Sequence, residues 1–363
     1  MNDERSTWQD AETGLTVTEW TRHPSNHLYF TNPGWFDGGR RMVFVSDRGG
    51  RHTLAVLDLA DGTQRPLCDL AEGEAVNPFQ AAVDAASGQV VAQIAGHYDL
   101  VDGFTGARRR LFTVPDGWHG IIPNITADGR RVCFGLTEAS DLPFAERFAA
   151  HPRSRLLVHD LDTGRTDVIH ERQAWLGHVN TSPADPHRFS FCHEGPWTKV
   201  EHRVWCCDLR DGRVWKVGPD LRHPACVGHE YWLADGRRIA YHGFDGAARP
   251  VLGIVDAHDG VRREFHQPCS TKHSHSLDGR LIVGDGSEAL PWILAWRLDD
   301  NGLRGPWRIC RHDGGWSEQR RHVHPRLAPD SRTVWFTSDR SGAPRLHSVV
   351  LPSRIEDLPP AGT

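Results

Sequence analysis

An all-β fold is predicted by three observations: a strand-and-turn unit that recurs along the chain, Asp-Gly turns between apolar strands, and weak helical periodicity throughout. The unit first appears over residues 36–62 as Phe36-Asp37-Gly38, the strand Met42-Val43-Phe44-Val45, a Ser46-Asp47 turn, the strand Leu54-Ala55-Val56-Leu57, and an Asp61-Gly62 turn. Counterparts of Asp37 stand at Asp84, Asp128, Asp185, Asp235, Asp278 and Asp330, between 43 and 57 residues apart. Repeats of roughly 40–50 residues with several short strands each are the pattern of a β-propeller, one four-stranded blade per repeat. Seven copies therefore predict a seven-bladed β-propeller.

Taken in order, the elements fit that architecture. Residues 15–20 read as a strand, and pairing it into the last blade would close the ring. Asp-Gly pairs at 61–62, 128–129, 211–212, 235–236, 259–260 and 278–279 are hairpin turns. Residues 141–148, in the third repeat, carry a polar and apolar mixture that predicts a short helix or loop insertion. No linker or shift in composition divides the chain, so a single domain over 1–363 is expected, with the propeller over about 15–352 and a Pro- and acid-rich tail over 353–363. Eight scattered cysteines, without a Cys-x-x-Cys pair and several within apolar runs, predict buried thiols.

Composition excludes several classes. A net charge of −5 and no long basic run disfavour nucleic-acid binding. Mean hydropathy is −0.51, and no apolar run approaches the roughly 18 residues a membrane helix needs. The N-terminal stretch is polar and acidic without an apolar signal segment, so a cytoplasmic location is expected. A propeller-gated serine peptidase is excluded by the absence of Gly-x-Ser-x-Gly and of room for a catalytic α/β domain.

The unusual feature is 23 histidines against four tyrosines. In a propeller the first strand of each blade lines the channel, and the loops entering it rim one mouth. His178, His229, His273 and His324 fall seven, six, five and six residues before Asp185, Asp235, Asp278 and Asp330, so four successive blades place an imidazole at one mouth. His322 and His324, if extended, share a face and can reach one divalent ion. Gln319 has the opposite parity and joins them only through a bend. His187, His202, His242, His258, His266, His312 and His347 are expected to be solvated.

The runs Trp175-Leu176-Gly177-His178, Phe191-Cys192-His193-Glu194-Gly195-Pro196, Arg203-Val204-Trp205, Gly228-His229-Glu230-Tyr231-Trp232, Leu281-Ile282-Val283-Gly284-Asp285-Gly286 and Gln319-x-x-His322-x-His324-Pro325 resemble the oligogalacturonate lyases, seven-bladed propeller enzymes of pectin breakdown. The resemblance runs from about Tyr29 to Pro352 and is strongest from Trp175 onward. It implies a manganese ion held by Gln319, His322, His324 and a histidine of Thr271-Lys272-His273-Ser274-His275. An ungapped count puts Lys272 at that last place. A one-residue shift selects His273, with His275 as the alternative. The resemblance also implies His229 as catalytic base and Arg203 as catalytic arginine, acting on a 4-linked oligouronate.

That chemistry suits these side chains. β-Elimination removes the C5 proton α to a carboxylate and lets the O4 leaving group depart. A divalent cation and an arginine stabilise the charge that builds on the carboxylate, and a neutral imidazole is a competent base near neutrality. His178, His193 and Glu194 are candidate substrate contacts, although His193-Glu194-Gly195-Pro196 also reads as a plain turn after a strand. Arg203, alternating between Glu201 and Trp205, could equally be a surface cross-strand ion-pair partner. The competing class is a non-catalytic propeller that binds a partner. The sugar, the linkage, the acid that protonates the leaving group and the oligomeric state are left open.

Overall fold

The computed structural model describes residues 3–29, 31–218 and 225–362, so Thr363, at the end of the expected tail, lies outside it. Seven antiparallel sheets follow one another along the chain. Each expected Asp marker occupies the turn between the first and second strands of its sheet. Asp235, for example, separates Cys226–Trp232 from Arg238–Phe244, and Asp278 separates Ser274–Ser276 from Leu281–Gly284. The seven-bladed propeller is thereby confirmed, with blades numbered 1 to 7 from Asp37 to Asp330.

The Asp-Gly turns work because the Asp side chain caps the turn while Gly takes the left-handed conformation. Asp278 Oδ1 accepts the backbone N–H of Arg280 at 2.7 Å, and Gly279 has φ 79°. The ring closes as expected, with one strand more than anticipated. Thr16–Glu19 pairs with Arg345–Val350 of blade 7, and Ser6–Gln9 pairs outside it.

Apolar strand faces build a slab of core between every pair of neighbouring blades. Val204, Cys206, Ile239 and Tyr241 join blades 4 and 5. Trp20, Phe44, Trp335 and Leu346 join blades 7 and 1. Stacked sheets that each bury both faces need near-continuous apolar strands, which is what the second strands supply. All eight cysteines are free, six of them buried.

The insertion in blade 3 forms a helix, α1 (Phe144–Ala149). The segment expected as a tail packs against blade 6: Ile355 and Leu358 are buried, Glu356 meets Arg297 at 2.7 Å, and Arg308 donates its N–H to the Pro359 carbonyl at 2.9 Å. Among the described residues no helix is long and apolar enough to cross a membrane.

Candidate functional site

Histidines of blades 4, 5 and 7 reach the mouth through one backbone device. His178, His229 and His324 all have positive φ, at 50°, 52° and 44°. This left-handed conformation is uncommon for residues other than glycine. In the innermost strands of blades 4 and 5 it accompanies a bulge, between Gly177 and Asn180 and between Gly228 and Tyr231. A bulge breaks the strict alternation of a strand. Two consecutive residues, His229 and Glu230, can therefore both serve the site.

The motif from Gln319 to Pro325 departs from the extended reading. Gln319–Arg321 is a single 3-10 turn, and the blade 7 strand starts only at Arg326. This turn is the bend that Gln319 needed, since its amide nitrogen lies 3.4 Å from His324 Nε2. Rotation of that amide presents Oε1 at the same position.

One ligand atom each from His273, His322 and His324 lie within 4.8 Å of one another. The hydrogen bonds fix which nitrogens face inward. His273 Nδ1 meets Asp285 Oδ2 at 2.6 Å, while Asp285 Oδ1 accepts the His273 backbone N–H at 2.8 Å and the Thr271 hydroxyl at 3.0 Å. A carboxylate so supplied with donors makes Nδ1 the protonated nitrogen and leaves the Nε2 lone pair for a cation, the usual support of a ligating imidazole. His322 donates through Nε2 to the Trp316 carbonyl at 3.2 Å, and its Nδ1 is buried with no hydrogen-bond partner. An orphaned buried acceptor is costly, and a cation would satisfy it. Burial, followed by the neighbouring imidazoles, pushes His273 and His324 well below their ordinary pKa, as metal ligands require. The residues fit a borderline divalent ion held by three imidazoles and an amide oxygen.

His275 does not join them. Its ring stacks on Tyr231 at 5.1 Å and its Nδ1 accepts the Leu327 N–H, whereas His273 lies beside His322 and His324. Lys272 is exposed. A second group, His178, Cys192 and Glu194, also lies within 4.8 Å. Burial pushes the Cys192 thiol up, and the Arg203 guanidinium, 3.3 Å from Glu194, already supplies the positive charge there.

His229 adjoins the imidazole group, its ring 4.5 Å from that of His273. Burial, then His273, His242 and Arg203, push its pKa well down, so it is neutral. Its Nδ1 lies 3.2 Å from His242 Nε2, and His242 hydrogen-bonds the Lys272 backbone carbonyl. With the His242 proton on Nδ1, which also lies 3.4 Å from the Ser274 hydroxyl, His242 Nε2 accepts from His229 Nδ1. His229 Nε2 thus holds the lone pair. Gly228 is required beside it, because a Cβ there would overlap the Trp197 indole, which packs edge-on against the His229 ring at 5.2 Å.

Arg203 is 4% exposed, which rules out the surface ion pair. Its Nε donates to Glu230 at 2.9 Å and its Nη1 to Glu194 at 3.3 Å. Burial alone would lower its pKa, but Glu230, Cys192 and Glu194 together raise it. Burial likewise pushes Glu194 up, yet Arg203 and His178 outweigh it and bring the carboxyl down to about 2. His178 contacts both acids, at 3.3 and 3.6 Å.

A cavity of about 1140 Å³ opens over this cluster, lined by Tyr29, His178, Glu194, Arg203, His229 and Gln319 among others. The three-imidazole group touches two residues of that lining, His229 through His273 and Gln319 through His324. His193 lies outside it, its ring stacked on Trp205 at 4.6 Å. As a regular strand residue beside Cys192 it faces away from the channel.

Sequence reasoning missed several members. His242, expected to be solvated, is 3% exposed, and His202, His312 and His347 are buried too. Asp285 and Glu230 are adjacent to Gly284 and His229 in the sequence, where nothing local assigns them a role. His242 sits opposite Gly228 across the blade 5 hairpin, a register that could have paired it with His229.

The model of the oligogalacturonate lyase family matches residues 4–355. An oligogalacturonide lyase of Pectobacterium atrosepticum is 28% identical over 96% of each chain. The solved structure of an oligogalacturonate lyase in complex with manganese superposes with a TM-score of 0.89, at 26% identity and 98% coverage of both chains. An oligogalacturonate lyase from Vibrio parahaemolyticus gives a TM-score of 0.87, at 25% identity and coverage of 97% of this chain and 98% of its own. With the family matched over nearly its whole length, this chain belongs to the oligogalacturonate lyase family.

Proposed function

We propose that this protein is a manganese-dependent lyase that cleaves 4-linked oligogalacturonate by β-elimination. The observation that carries the reading is the convergence of His273, His322, His324 and Gln319 beside a neutral, oriented His229 and a buried Arg203.

Arg203, held by Glu194 and Glu230, offers a fixed positive charge to the substrate carboxylate. His229 Nε2 takes the C5 proton. The electron pair of that C–H bond forms the C4=C5 double bond, and the C4–O4 bond breaks with its electron pair on O4, which takes a proton from water. His242 holds His229 in the tautomer that can accept the proton. Gln319, His273, His322 and His324 would hold manganese, which would supply Lewis-acid stabilisation to the substrate carboxylate. Proton abstraction by a positioned side chain typically contributes about 10² to 10⁴ in rate.

The test is ultraviolet absorbance of the 4,5-unsaturated product across a panel of uronate oligosaccharides, with chelator and with restored manganese. The reading expects product from digalacturonate and trigalacturonate only when manganese is present. Silence across the whole panel would sink it.

A further inference from the structure

The cavity extends well past the catalytic cluster, to Phe144 and Arg147 of α1 and to Trp175. Arg147 is half-buried, with its guanidinium 4.3 Å over the Trp175 ring, and its Nε is buried without a hydrogen-bond partner. Among the described residues no carboxylate lies within ion-pair distance of it, although Glu194 acts on it from farther off. Most arginines of this chain, Arg203 included, do have such a partner.

The placement of Arg147 is built in. Gly195 has no side chain where a Cβ would overlap the Phe148 ring, so α1 docks directly on the turn that carries Glu194. Glu194 in turn donates its backbone N–H to the Trp175 carbonyl at 2.8 Å. Phe144, 52% exposed, meets Trp175 at 5.1 Å and adds a second aromatic face at the rim. An unpaired cation beside two aromatic faces matches one unit of an acidic sugar: the planar fork takes the carboxylate, and the rings take the apolar C–H face of the pyranose.

We propose that Arg147, braced by Trp175, is a second carboxylate-reading position, which binds the uronate next to the one that loses its proton. The proposal rests on the cavity being an oligouronate site. It assigns α1 the role of selecting substrates whose neighbouring sugar is charged.

The experiment compares trigalacturonate with the same trimer in which every carboxylate except that of the reacting sugar is reduced to an alcohol. Binding is measured by calorimetry on metal-free protein, and turnover on manganese-loaded protein. Wild type should bind the fully charged trimer about tenfold or more tighter, the worth of a charge-assisted hydrogen bond. Arg147→Gln should lose most of that preference while keeping its manganese affinity. Should Arg147→Gln not fold, Arg147→Met, which keeps the apolar stem against Trp175, carries the same comparison. Equal binding of both trimers by wild type, or an intact preference in the charge-removed variant, overturns the proposal. Absent turnover on every uronate would overturn the lyase reading instead, and the binding comparison would still decide the role of Arg147.

Discussion

Asp285 determines which nitrogen of His273 can face a cation. Its carboxylate takes the Nδ1 proton at 2.6 Å, and its other oxygen is held by backbone and hydroxyl donors, so the imidazole can neither rotate nor change tautomer cheaply. Replacing such an outer partner costs about 10- to 100-fold in metal affinity. Asp285→Asn should therefore weaken manganese binding by that factor in a calorimetric titration, while Asp285→Glu loses less. At this scale the sequence was legible where register along the repeat decided the matter, as in placing His178, His229 and His324 at one mouth. It was opaque for His242 and His193, because both are strand residues whose burial depends on which blade face they meet, and that is set by cross-strand register rather than by local pattern.

At the scale of the element, the bulged innermost strands of blades 4 and 5 explain why parity arguments ran out. A regular strand would send His229 and Glu230 to opposite faces. The bulge lets both face the cavity side, the proposed base beside the carboxylate that anchors Arg203. The strand tolerates this because Gly228, just before the bulge, gives Trp197 room to lie against it. Gly228→Ala should force the indole away at a cost of about 1–3 kcal/mol, the range for overpacking, read by denaturant unfolding. Turnover should fall further than stability does, since the displaced indole also packs on His229. The 3-10 turn at Gln319–Arg321 is the same lesson in the seventh blade. Two histidines and a glutamine were visible in the motif, but only a turn brings all three donors to one side.

For the whole molecule, the repeat period and the Asp-Gly turns sufficed to give the blade number, because each blade repeats the same local chemistry, and the strand-like run at 15–20 gave the closing strand. Ring closure also has a functional consequence. Gln319, His322 and His324 precede blade 7, whereas His273 enters blade 6, so the candidate metal group depends on how those blades meet. The N-terminal strands seal blade 7, burying Val17 completely and stacking Trp20 on Trp335 at 5.2 Å. A chain lacking residues 1–20 should unfold at markedly lower temperature, and added manganese should raise its midpoint less than that of the full chain, as expected when the binding-competent fold is less populated.

Manganese content and product formation, measured on the same preparations of wild type and His229→Ala, test the division of labour between the metal group and the base. Both proteins should retain manganese, while kcat on trigalacturonate falls by about 10² to 10⁴ in the variant. Undiminished turnover by His229→Ala, or full wild-type turnover after the manganese has been stripped, would contradict the account.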